Sequence, residues 1–552
     1  MKKDALSRLL LVCMGAFVCC ILATGAPLAR LAGTTLLAAL PTSLFLILVG
    51  TKLPADLHLT ADIHASQVNT NALEFLFLTM LASLFYALSA YLARRYVERQ
   101  PTPTTKRRQP AKILLRLIWL VALLLGVAYV LMPALLSRDA LVYAGYGRII
   151  VAYHANPYYT PLSAFPHDPL LQADDWRDAL AAYGPLWLLV CALSTLFAGS
   201  SVLQYIFFYR ALGLIAHLLN IALVTTILRK TGRSSRTIIA GTLLYAWNPL
   251  VLLESCMGGH NDILLVSCIL LGILLCVRAE QTAFATVRSY LPPLLAFTCA
   301  ALIKFTAAPL LAFYLVLLTR RTLNAQPPSQ RSISLWLPVV RKVAIATLTS
   351  TLLAVTLYTP LWVGHTVHAI VASLGSPPSS RLAFGSTLLA LQKVAVQHPE
   401  NMLLATISQH GTWNGLTGAI VGIVFCAGAF WLWRVPTLPT MVYATLATLG
   451  VLLVVTPWFF PWYVLWLVAL AAVAPPERSN RVGQALVWST LTFSTTAFFL
   501  YLFRGYPPVG DWIGFTSLTT IGPPLLVFLS VLCLTPRQAN KPLKQAISQP
   551  VP

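Results

Sequence analysis

Apolar runs of about 20 residues, the length a helix needs to cross a bilayer core, recur along this whole chain, separated by short polar or basic segments. They predict spans at 9–28, 33–50, 72–93, 112–135, 202–228, 236–253, 262–278, 289–303, 305–319, 338–361, 414–433, 440–456, 459–474, 484–503 and 521–536. No strand–helix alternation interrupts them. The pattern predicts an all-α polytopic membrane protein with about 12–15 transmembrane helices and short interfacial helices in the outer loops. Tyr183 to Gly199 is apolar enough to cross, yet a crossing there would put the basic segment Arg229 to Arg236 outside. It is expected to be re-entrant or to lie along the membrane. The first run has a basic start and small residues after it (ATGAP), as a signal peptide does. With so many spans behind it, an uncleaved anchor is the expectation.

Composition excludes a water-soluble domain: 10% of the 552 residues are charged and 58% are hydrophobic, against roughly 25% charged in soluble proteins. The net charge of +22 does not imply nucleic acid, because Lys and Arg sit in short connectors rather than in one basic domain. Arg94 to Arg116 holds eight bases and one acid, Arg229 to Arg236 four bases, and Arg320 to Lys342 five. The positive-inside rule makes these cytoplasmic, together with Glu477 to Arg481 and the tail from Arg537. Ser137 to Tyr183, Glu254 to Asp262, Gly364 to Trp413, Pro457 to Tyr463 and Arg504 to Thr520 then fall on the opposite face. Three of these segments gather eight of the sixteen acids. The N-terminus stays open. Lys2, Lys3 and Arg8 argue for a cytoplasmic start, but if 9–28 and 33–50 both span, Ala55 to Thr70, with Asp56, Asp62 and no Lys or Arg, sits awkwardly inside.

The ten cysteines are scattered through apolar runs with no CxxC, so neither a disulfide framework nor a zinc site is expected. No P-loop and no GxGxxG after a strand is present, which excludes an encoded nucleotide-binding domain. Any chemistry must take place at the membrane surface, with a donor that is membrane-borne or arrives from outside.

Three clusters on the outer side carry candidate chemistry. If Arg138 to Tyr153 is helical, Asp139, Tyr143, Tyr146 and Ile150 share one face, with two phenols beside a carboxylate at the mouth of a membrane helix. Arg148, Asn156 and Tyr158 follow, a polar and aromatic set suited to a sugar and a phosphate. Alone, Asp139 reads as an interfacial helix cap offset by Arg138; the wider constellation favours a catalytic acid or base. The second cluster runs from Asn248 through Glu254 to His260, Asn261 and Asp262. Glu254 lies in an apolar segment, where an ionisable group faces a cavity or a partner. Asn261 or Asp262 could equally cap the next helix. Lys304, alone in ALIKFTAAPLL, could snorkel to the interface, but with apolar residues on both sides a phosphate or Glu254 is the expected partner. The third cluster, Trp458 to Tyr463 with Trp462 between, reads as interfacial aromatics or as a shaped wall, with Arg504 and Asp511 nearby.

In this order, SRDALVYAGYGRI, ANPYYTP, YGPLW, AWNPLVLLES, GGHNDILL, ALIKFTAAPLL and TPWFFPWYVLWLVAL resemble the GT-C superfamily of integral membrane glycosyltransferases, and most of all the polyprenyl-phosphate-mannose-dependent group that includes the alpha-1,6-mannopyranosyltransferases. The resemblance runs from about Ser137 to Ala471. It implies a GT-C-like bundle that transfers a hexose, mannose by resemblance alone, from a polyprenyl-phosphate donor to a glycan or glycolipid acceptor of the cell envelope, with inversion. It also implies a multi-pass cell-membrane protein with an extracytoplasmic active site and an acidic residue, at the position of Asp139, that acts as general base on the acceptor hydroxyl or orients it. Members carrying an adjacent Asp-Glu pair differ from the Arg138-Asp139 found here, so no metal or cofactor is expected. Substrate binding falls to Tyr143, Tyr146, Arg148, Asn156, Tyr158, Glu254, His260, Asn261, Asp262, Lys304, Trp458, Trp462, Tyr463 and Arg504. Arg148, Lys304 and Arg504 are the cations expected to stabilise phosphate charge. The expected organisation is N-terminal spans over 1–93, a basic loop over 94–116, a catalytic core over 117–536 with outer loop 137–183, and a tail over 537–552. A transporter or flippase of a lipid-linked sugar is the competing class. It should keep its ionisable groups near the midplane and often shows paired broken repeats, neither of which is seen here.

Overall fold

The structure, a computed structural model, describes residues 3–31, 70–99, 110–132, 136–325, 336–375, 385–474, 480–504 and 513–534. The described residues form helices and their connections, without a β-strand. Among the described residues eight helices are long and apolar enough to cross a membrane: Asp4–Arg30, Thr70–Glu98, Ala111–Val130, Val202–Lys230, Asp262–Gln281, Trp336–Trp362, His410–Arg434 and Leu438–Val455. Ser235–Ala246 and Pro249–Met257, bent by 48° at their junction, make a ninth if taken as one broken span. The expected 12–15 is reached only by counting shorter helices such as Val287–Ile303, Ala308–Asn324, Arg481–Thr496 and Leu518–Leu534. At 1.5 Å per residue a 17-residue helix is about 25 Å long, just short of a bilayer core. The span expected at 33–50 lies outside the described residues.

Burial separates centre from rim. The most apolar window of Asp262–Gln281 is 72% buried, whereas those of Trp336–Trp362 and His410–Arg434 are 11% buried and present leucine, valine and phenylalanine outward. The second pair therefore forms the lipid-facing periphery.

Contacts between helix ends order the two faces. Arg30 donates to Asn71 at 2.7 Å and pairs with Glu74, so the Lys3–Ala23 helix returns antiparallel along Thr70–Glu98. Glu98 in turn meets Arg236 at 2.6 Å. This places the basic N-terminal turn at the end of the bundle that carries the basic connectors, the order the sequence left open. At that same end Arg321 pairs with Glu280 at 2.9 Å and Lys342 donates to the Phe284 carbonyl at 2.8 Å.

The opposite end carries the short helices. Asp139–Val151 and Pro185–Ala198 pack on each other, and 14 residues give the second about 21 Å, too little to cross. Val367–Gly375, Thr387–Gln397 and Met402–Ile407 are further short helices in the loop before His410.

Candidate active site

Three local breaks in helical regularity deliver the polar groups. At Asn248-Pro249 the proline has no N–H, and the Asn248 side chain accepts from the backbone N–H groups of Leu250 and Val251, so the helix restarts at an angle. One turn later Leu253–Met257 widens into a π-helical turn that turns Glu254 inward. Arg210 fixes this turn from the neighbouring helix, donating to the carbonyls of Met257, Val130 and Met132. Gly259 then takes φ +64, a conformation that costs glycine little, and the chain reverses to place His260, Asn261 and Asp262 together. The third break is at Gly184, whose N–H donates to the Ile303 carbonyl at 3.1 Å. A Cβ there would lie 2.1 Å from the Leu302 oxygen, so the glycine lets YGPLW dock beside Lys304.

Asp139 opens its helix, with Ser137 Oγ donating to Oδ1 at 3.1 Å. The Tyr143 hydroxyl lies 3.4 Å from Asp139 Oδ2 and 3.4 Å from Asn261 Oδ1, as the shared helix face predicted for the first of these. His260 stands between two carboxylates, Nδ1 at 3.4 Å from Asp139 Oδ2 and Nε2 at 3.2 Å from Glu254 Oε2. These are charge contacts rather than well-aligned hydrogen bonds. Glu254 also accepts from the Tyr501 hydroxyl. Asp262 Oδ1 accepts from Lys304 Nζ at 2.9 Å and from Trp466 Nε1 at 2.7 Å. Lys304 sits over the rings of Tyr463, at 3.9 Å, and Trp466, at 5.1 Å. Trp462 stacks on His260 with centroids 3.9 Å apart. Side-chain exposure divides the carboxylates: Asp139 keeps 13%, Glu254 2% and Asp262 none. Asp139 is the most exposed of these three acids.

The structure thus brings Asp139, Tyr143, Glu254, His260, Asn261, Asp262, Lys304, Trp462 and Tyr463 into one cluster, and it places the other expected residues around or outside it. Lys304 is paired with Asp262, not with Glu254. Neither Asn261 nor Asp262 makes a side-chain cap to its helix, since Asp262 Oδ1 is taken by Lys304 and Trp466. The Tyr146 hydroxyl donates to the Leu180 carbonyl, and its ring meets Tyr183 edge-on. Tyr158 donates to the Tyr183 carbonyl at 2.7 Å and Asn156 donates to the Leu361 carbonyl at 2.5 Å, so neither joins the cluster. Arg148 is a correction to the expected set of phosphate-facing cations. It lies at the far end of the Asp139–Val151 helix, about 13 Å along the axis from Asp139, where Asp168 holds it at 2.5 Å and Gly199 accepts from it at 2.8 Å. Trp458 packs edge-on against Trp176 and Phe460 at the rim. The side chain of Arg504, and Asp511, lie outside the described residues.

Sequence reasoning missed Tyr183, Trp466, Tyr501 and Arg210. Trp466 had a usable signal, since it follows Trp462 by four residues and shares its helix face. Tyr501 had none: it reaches Glu254 only because the chain returns from far away. A cavity of about 430 Å³ at the basic end, lined by Lys230, Arg233 and Glu280 among others, contains none of the cluster residues.

A multi-pass helical bundle that gathers three carboxylates, a histidine and a lysine within aromatic walls at one end has the makings of a membrane-integral enzyme. Residues 11–320, just over half of the chain, match the family described as alpha-(1->6)-mannopyranosyltransferase, N-terminal domain. The chain belongs to this family, and is accordingly a membrane glycosyltransferase that transfers mannose to a glycan acceptor. The match contains every cluster residue up to Lys304; Trp462, Tyr463, Trp466 and Tyr501 come from beyond it. No curated protein matches the chain.

Proposed function

We propose that the protein takes mannose from a polyprenyl-phosphate donor and passes it, with inversion at the anomeric carbon, to a hydroxyl of a glycan or glycolipid on the extracytoplasmic face of the cell membrane. Asp139 removes the acceptor proton as the new C–O bond forms and the bond to the lipid phosphate breaks, its electron pair leaving with the phosphate. A phosphate is a good leaving group, so the remaining need is a cation near its oxygens, which Lys304 supplies from the same cluster. A lipid-borne donor suits a site at the end of a membrane bundle in a chain that encodes no nucleotide-binding domain.

The observation that carries this reading is the contrast between Asp139, partly exposed, and the enclosed carboxylates of Glu254 and Asp262 behind it. The purified protein should transfer radiolabelled mannose from polyprenyl-phosphate-mannose and not from nucleotide-linked mannose. Asp139→Asn should lower the rate by about 10²–10⁴-fold with the amount of folded protein unchanged. Retained transfer in this variant removes Asp139 as the base.

A further inference from the structure

Both edges of the His260 ring face a carboxylate, Asp139 on one side and Glu254 on the other. A neutral imidazole has one N–H and one bare lone pair, and that lone pair would be turned toward a negative oxygen. Only the doubly protonated ring offers a donor to each. The ring cannot turn away, since it is fully buried and lies flat on Trp462, 13° from parallel.

We infer that His260 is a positioning residue that stays protonated on both nitrogens and clamps the base Asp139 to Glu254, so that Oδ2 of Asp139 is held in place and ionised for the acceptor hydroxyl. This rests on the role proposed above for Asp139. The acceptor proton goes to Asp139, and His260 keeps both of its own throughout.

Charge balance supports the clamp. The groups around His260 are Asp139, Glu254 with Tyr501 behind it, the Asp262–Lys304 pair, and Arg210 beneath the π turn. Three carboxylates face the two cations Lys304 and Arg210, and a charged His260 brings the group to neutrality. Burial opposes the imidazolium, but the two flanking carboxylates outweigh it and push His260 up to about 9. The clamp therefore holds at neutral pH and opens as pH rises through about 9.

The test compares wild type, His260→Gln and Glu254→Gln across pH, with polyprenyl-phosphate-mannose as donor. Wild-type transfer should fall on the alkaline side with a midpoint near 9. His260→Gln should be slower and lack that limb, and Glu254→Gln, with one carboxylate gone, should move it to lower pH. Emission of Trp462, isolated as wild type minus Trp462→Phe, should titrate with the same midpoint because the stacked ring changes charge. An unchanged alkaline limb in His260→Gln overturns the clamp, as does Trp462 emission that stays flat through about 9. If His260→Gln does not accumulate, the limb in Glu254→Gln decides. A wild type that transfers no mannose defeats the proposed function alone, since the emission titration needs no substrate.

Discussion

Asp262 shows how one carboxylate is held inside the bundle. Its Oδ1 takes both Lys304 and Trp466, while Oδ2 has no hydrogen-bond partner among the described residues. Among the described residues Lys304 is the only cation in contact with Oδ1, and it is itself nearly enclosed. Its removal strands a buried charge, which costs about 3–5 kcal/mol. Lys304→Met is therefore expected to lower the thermal unfolding temperature in detergent sharply, and Lys304→Met combined with Asp262→Asn to recover most of the loss without restoring transfer. The sequence made Lys304 conspicuous as a single cation in an apolar run. It could not name the partner, because Glu254 and Asp262 flank the same turn and only the π-helical widening decides which one faces the lysine.

At the scale of elements, the outer segment from Ser137 to Gly199 is held by buried polar contacts rather than by helix length. Asp174 is an example: 5% exposed, it accepts from the Trp176 N–H at 2.7 Å and packs over Gly145, where an added Cβ would lie 2.9 Å from its oxygen. Burial raises its pKa to about 7, with the neighbouring carboxylates of Asp175, Asp139 and Asp168 adding to the effect. The sign follows by linkage. The native state keeps a proton that the unfolded chain gives up near 3.8, so the stability due to the neutral carboxyl is full below 3.8 and is lost as pH rises through about 7. Asp174→Asn, neutral throughout, should unfold at nearly the wild-type temperature at acid pH and above it at pH 8, the gap opening between these limits. A constant difference would mean that the carboxyl is already ionised in the native protein.

For the whole molecule, alternation of the helices sends every cluster residue to one end and the basic connectors to the other. His167, exposed in the outer segment, and Ser235, exposed beside Arg236, report these ends. In a background without reactive cysteines, His167→Cys should react with a membrane-impermeant maleimide on intact cells, and Ser235→Cys only after permeabilisation. Equal labelling of both from outside would reverse or abolish the proposed sidedness.

Hydrophobic run length alone determined that the chain is a multi-pass helical bundle, because the bilayer sets the length of any apolar segment that crosses it. The basic connectors likewise indicated which ends lie together, and Glu254 and Lys304, isolated ionisable residues in apolar runs, called for partners because burying a charge without one is costly. The sequence could not decide which charges meet. The pairing of Lys304 with Asp262, the loss of Arg148 to Asp168, the reach of Tyr501 to Glu254 and the ring of His260 between two acids depend on helices far apart in the chain coming within a few ångströms. Such contacts are set by packing and by local helix breaks, whose geometry no period or spacing encodes.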